Sequence, residues 1–118
     1  MKDSEQPDLS SRTRAFALRV IKLTASLPRS MEAQVLGRQV LRSGTSVGAN
    51  YREAQRARSK AEFAAKIGDC LKEQDETQYW LLLLSESEIV TIKRLQPLMN
   101  ECSELVAILT TIHKRSKG

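Results

Sequence analysis

Arg38, Arg42, Arg52 and Arg56 carry the most distinctive chemistry in this 118-residue chain. At about 100° per residue in a helix they fall on one side, with Thr45 and Ala49 filling the gap between them. The stripe is about 27 Å long at about 1.5 Å rise per residue, enough to meet several phosphates of a nucleic-acid backbone. Arg58 and Lys60 extend it around the next corner. A guanidinium suits phosphate because its planar fork donates two parallel hydrogen bonds. No carboxylate lies on the stripe, and Glu53 stands to one side. The competing reading is a solvated face, or one paired with carboxylates of another helix or subunit. Glu62, Asp69, Glu73 and Glu76 supply such carboxylates on one flank of the following helix, and Trp80 continues that flank.

Catalysis finds little support. The single histidine, His113, lies in a basic tail, where a Ser-His or Cys-His nucleophile would have to be built. Glu-x-x-His pairs and Cys/His clusters with zinc spacing are absent from the sequence, as is a Gly-rich phosphate loop. Glu73, Asp75 and Glu76 form an acidic run that could hold a metal, but a solvated or ion-paired helix face explains it more simply. The expectation is a non-enzymatic protein with no cofactor and no metal. Cys70 and Cys102 sit among apolar neighbours and read as buried, reduced thiols.

Helices must position these groups. The chain is 41% hydrophobic but only 4% aromatic, with few glycines and prolines, which suits a helical bundle packed by Leu, Ile, Val and Ala. Ser10 or Ser11 can cap a first helix whose stripe is Phe16, Val20, Leu23 and Leu27, widened by Ala17, Ile21 and Thr24. Pro28 ends it. Ser30 caps a second helix with the seam Ala33, Leu36, Val40, Gly44, Val47, Tyr51 and Ala54. Its period stays in phase across the glycines, favouring one long helix over a loop at SGTSVG. Ser59 and Glu62 form a capping box for a third helix, faced by Phe63, Ile67, Cys70, Leu71, Leu81 and Leu84. Gln74, Thr77 and Gln78 sit in the middle of that face, and Gln74 and Gln78 would lie opposite Ser43 and Gly44, either as a polar layer or with partial solvent access. A fourth helix begins at Thr91 or Leu95, with Pro97 best placed in its first turn.

Short connections make this an all-α, antiparallel, up-down-up-down four-helix bundle. It should span residues 10–115, between tails at 1–9 and 116–118. Tyr79-Trp80-Leu81-Leu82-Leu83-Leu84 is apolar in every direction around its helix. One core hides Leu81, Leu84 and at most Leu82, leaving Tyr79, Trp80 and Leu83 for self-association. Glu73 and Glu76 beside them are candidates for the same interface.

The net charge of +5 and pI near 9.5 favour an anionic partner. The opening MKDSEQPDLS holds no apolar core of the kind a secretory leader needs. No window approaches the 18–20 or so apolar residues of a membrane span. A cytoplasmic protein with no membrane partner is expected.

The run SGTSVGANYREAQRARSKAEF, followed by LKEQDETQYWLLLL, resembles the bacterial four helix bundle protein family. That family includes proteins encoded within intervening sequences of large-subunit ribosomal RNA genes, some labelled ribosomal-protein-like. The matching positions are Ser46, Asn50, Arg52, Glu53, Ala54, Ser59, Phe63, Lys72, Glu73, Glu76, Thr77, Tyr79 and Trp80. The resemblance extends over nearly the whole chain after the tail. It implies an antiparallel four-helix bundle assembling as a homopentameric ring. The accessory variability proteins of diversity-generating retroelements look similar; they are basic, bind nucleic acid and partner a reverse transcriptase. The functional expectation is a homo-oligomer that binds RNA or DNA through its arginine stripe. The alternative is a protein-interaction module whose charged stripes serve the oligomer interface.

Overall fold

Four helices run through residues 8–118, the part of the chain that the computed structural model describes: α1 (Leu9–Ala25), α2 (Met31–Gln55), α3 (Lys60–Glu86) and α4 (Ile92–Lys117). Residues 1–7 of the expected tail lie outside the described residues. The last residue of that tail, Leu9, belongs to α1, and the one before it caps the helix. Asp8 is its N-cap, accepting from the Ser11 backbone N–H at 3.2 Å and the Ser11 hydroxyl at 2.8 Å. Those bonds hold the Asp8 carboxyl below its ordinary pKa. The cap therefore precedes the expected Ser10 or Ser11, because starting there lets the helix bury Leu9.

Ser30 caps α2 as the sequence predicts, its hydroxyl accepting from the Ala33 N–H at 3.2 Å. The helix is continuous through Gly37, Gly44 and Gly48. Its glycines mark close approach to α1: a Cβ on Gly44 would stand 2.9 Å from Val20 Cγ2. Ser59 caps α3, accepting from the Glu62 N–H at 3.0 Å. Glu62 in return accepts from the Arg58 N–H at 3.3 Å, one residue upstream of the cap. After α3, Glu88 takes a positive φ of 63° to turn the chain toward α4.

Thr91 caps α4, so Pro97 lies inside the helix, one turn deeper than expected. Its missing amide deprives the carbonyl of Lys93, an exposed residue whose backbone water can reach. The helix continues to Lys117 rather than ending at 115, with Lys114, Arg115 and Lys117 in its last turn, where cations suit the dipole.

Sequential neighbours pack antiparallel: α1 on α2, α2 on α3 and α3 on α4, while α1 and α4 meet only briefly. Arg12 reinforces that thin seam by bonding Glu101 at 2.6 Å and 3.0 Å and Glu104 at 3.1 Å. The core is Phe16, Val20 and Leu23 of α1, Val40 and Val47 of α2, Cys70, Leu81 and Leu84 of α3, and Leu95, Leu98, Leu105 and Leu109 of α4. Ile21 is not part of it and is 45% exposed. A polar layer does cross the core, with different partners from those expected. The Thr77 hydroxyl, not Gln74 or Gln78, meets Ser43 Oγ at 2.7 Å. Gln74 Nε2 instead faces Cys102 Sγ at 3.1 Å, and Gln78 Nε2 donates to Ser103 Oγ at 2.7 Å, both on α4. The rotation of α3 about its axis decides this: it turns the two glutamines toward α4 and the threonine toward α2. The bundle measures 45 × 25 × 20 Å.

Candidate nucleic-acid interface

The continuity of α2 places Arg38, Arg42 and Arg52 on one solvent face, opposite the buried Val40, Ser43, Val47 and Ala54, with Arg56 following as the C-cap of the helix. Arg38, Arg52 and Arg56 are exposed and make no ion pair among the described residues; Arg58 and Lys60 at the corner share both properties. Arg42 differs. Its guanidinium lies 3.3 Å from Glu73 Oε1 and also bonds Glu76 Oε1, both on α3. The Glu76 bond raises the Arg42 pKa, and Arg42 holds the Glu76 carboxyl below its ordinary value. A stripe that looks uniform in the sequence is thus one pinned arginine among free ones.

The packing of α1 against α2 adds a cation that the α2 periodicity could not reveal. Arg14 and Arg52 flank a cleft of about 200 Å³ lined also by Ser10, Thr13, Thr45 and Gly48. The glycine keeps the cleft open, since a Cβ at Gly48 would stand 3.2 Å from Thr13 Oγ1. Two guanidiniums bordering one small cleft can share one phosphate, each donating along its own fork. The sequence signal was present in principle: Arg14 faces away from the Phe16, Val20, Leu23 stripe. Its proximity to Arg52 depends on the α1–α2 register.

The surfaces proposed for self-association divide unevenly. Tyr79 is 53% exposed and Leu82 39% exposed, whereas Trp80 and Leu83 are half-buried. Leu82 therefore takes the outward place that the sequence assigned to Leu83. The Tyr79 and Trp80 rings meet edge to face, 5.2 Å between centroids. The Trp80 indole Nε1 is buried without a hydrogen-bond partner. Glu73 and Glu76 are half-buried and already engaged by Arg42 of the same chain. Other outward apolar residues were missed: Leu18 and Ile21 on α1, and Met31 and Val35 on α2. Their signal was a spacing of three and of four residues on the helix sides away from the core.

The groups that could have done chemistry are placed quietly. Cys70 and Cys102 are buried free thiols, and burial pushes their pKa up to about 12 and about 11. Thiols held protonated are poor nucleophiles. His113 is half-buried and rests over Gly68, where a Cβ would stand 3.1 Å from its Nε2. Among the described residues no three or more His, Cys, Asp or Glu side chains gather as a metal site would require. No helix there is long and apolar enough to cross a membrane.

Known proteins resemble this chain at two levels. The model of the 23S rRNA-intervening sequence protein family matches residues 5–111. A crystal structure of a protein of unknown function from the S23 ribosomal protein family of Bacteroides thetaiotaomicron superposes with a TM-score of 0.84 at 39% sequence identity. The match covers 90% of this chain and 98% of that one. No protein of curated function matches the chain.

Proposed function

The chain belongs to the 23S rRNA-intervening sequence protein family, and from that premise we propose a non-enzymatic, homo-oligomeric protein that binds RNA or DNA through the free arginines of α2. The observation that carries the proposal is the exposure of Arg38 and Arg52 on one face and of Arg56 at its C-cap, without an ion pair among the described residues. A helix that only needed solvation could use lysine or glutamine at these sites. Unpaired guanidiniums in a row are suited to a ladder of phosphates, with Arg14 adding a cation beside Arg52. The family description names the genetic setting of its members and supplies no activity by itself.

Self-association is part of the proposal, through Tyr79 and Leu82 with Trp80 and Leu83 behind them. In the pentamer that the family resemblance implies, a subunit charge of +5 becomes about +25, which strengthens salt-dependent phosphate binding. Fluorescence anisotropy with labelled single-stranded and duplex RNA and DNA tests the reading at low salt. Binding by the native protein that falls at least tenfold in an Arg38/Arg42/Arg52/Arg56 to Ala variant supports it. Absence of binding to every probe, or equal affinity in the variant, defeats it.

The second reading, a protein-interaction module, has one observation in its favour: Arg42 is already neutralised by α3 carboxylates. Asp69 and Glu62 remain exposed and could neutralise other arginines in a neighbouring copy. Under that reading Arg52→Ala or Arg56→Ala lowers the sedimenting mass and leaves nucleic-acid binding absent.

A further inference from the structure

The corner between α2 and α3 and the last turns of α4 enclose an open pocket of about 530 Å³ at one end of the bundle. That volume is within the usual range for small-ligand sites, about 300–1,000 Å³. Its floor is Ala57, Phe63 and Ile112, all half-buried, and its rim carries Arg58, Lys60 and Arg115. These three cations are exposed and make no ion pair among the described residues. The carboxylate at this corner, Glu62, is turned back to the Arg58 backbone N–H. Fold stability does not account for the arrangement. Phe63 is left partly open on the α3 face where Ile67 and Cys70 are fully covered, and like charges brought together repel.

We propose that this pocket holds the phosphorylated terminal nucleotide of a single nucleic-acid strand, with the phosphate among Arg58, Lys60 and Arg115 and the base against Phe63. Charge complementarity chooses this occupant. A backbone diester carries one negative charge and needs no three-cation rim, whereas a terminal monoester approaches two at neutral pH. A carboxylate amphiphile carries one charge and leaves most of the three-cation rim unmatched. A base gains stacking on a phenyl ring regardless of its identity. The inference rests on the nucleic-acid reading above and deepens it: α2 follows the strand, and the pocket reads its end.

Isothermal titration calorimetry on the full chain tests the pocket without any polymer. The probes are uridine 5′-monophosphate, uridine, inorganic phosphate and octanoate. The expected result is monophosphate binding at least tenfold tighter than each of the other three. Arg115→Ala and Phe63→Ala should each weaken it about fivefold or more, while Arg19→Ala, on another face, leaves it unchanged. Arg115→Ala lies at an exposed helix end and keeps the test valid if Phe63→Ala folds poorly. Equal binding of phosphate, uridine or octanoate overturns the proposal, as does an unchanged affinity in Arg115→Ala or no binding of the monophosphate. The two readings fail separately. RNA retained through α2 with no monophosphate binding removes the pocket alone. Retention of a 5′-phosphorylated strand that is lost in Arg115→Ala but unchanged in the Arg38/Arg52/Arg56 to Ala variant removes the α2 proposal and leaves the pocket, and monophosphate binding without retention of any such strand removes both.

Discussion

At the scale of single residues, Arg42 and Arg52 share a helix face in different surroundings. Arg42 reaches Glu73 and Glu76, while Arg52 stands free beside Arg14. A paired guanidinium must surrender its carboxylates before it serves a phosphate. Arg52→Ala should therefore weaken RNA binding at least threefold more than Arg42→Ala in anisotropy titrations. Half-exposed as it is, the Arg42 pair should contribute below about 1 kcal/mol to stability, measurable by urea denaturation. The stripe was legible because it needs only the period of one helix. The pinning of Arg42 was not, because it depends on how α3 turns against α2. Cys70 and Cys102 were legible as buried thiols, and their pKa values make a second prediction. Both are raised in the folded protein, from the ordinary 9.0 to about 12 and about 11. Above pH 9 the unfolded chain ionises while the folded chain does not, so stability present in full below pH 9 declines as pH rises toward those values. Denaturation midpoints should fall as the pH rises from 9 toward 11, and less so in a Cys70→Ala/Cys102→Ala variant.

Between elements, the α1–α2 seam is governed by what faces each glycine. Gly44 lies against Val20, which is fully buried and stiff at χ1. Gly44→Ala gains about 1 kcal/mol of helix propensity but overpacks the seam by about 1–3 kcal/mol. A net loss of roughly 1 kcal/mol should show as a lowered Tm. A Cβ at Gly37 meets only the Leu27 Cδ1, 2.9 Å away at the free end of a flexible side chain. Gly37→Ala should be neutral or should raise Tm. The polar layer makes a further test. Gln74 is fully buried with Oε1 unpartnered, and its amide has only a thiol to bond. Gln74→Met keeps the volume and removes the orphaned oxygen, so thermal unfolding should move up. The helices themselves were readable from capping residues and apolar period: Ser30 and Ser59 each cap where their sequence suggests, whereas the Asp8 cap of α1 was not foreseen and the start of α4 was left between Thr91 and Leu95. The contents of the polar layer were not, since periodicity identifies which residues face inward but not which neighbour each one meets.

For the whole molecule, the bundle leaves Tyr79 and Leu82 exposed one turn apart on α3, and Leu18, Ile21, Met31 and Val35 exposed on α1 and α2. A charge placed at the first pair should break the proposed oligomer. Leu82→Glu is expected to reduce the sedimenting species toward the 13.3 kDa subunit, with the helical circular dichroism retained; unchanged mass would exclude that surface. The bundle and its order of helices were legible because each stripe, cap and short connection points to the same topology. Function was less so, because the proposed nucleic-acid surface combines α1 with α2 and depends on how these two helices meet. The central claim is that free arginines of α2 neutralise phosphates, and counterion release measures that directly. The decisive measurement is the slope of log K against log salt for single-stranded RNA, taken for the native protein and for an Arg38/Arg52/Arg56 to Ala variant. Three lost phosphate contacts at about 0.7 counterions each should flatten the slope by about 2; identical slopes in the two proteins would contradict the account.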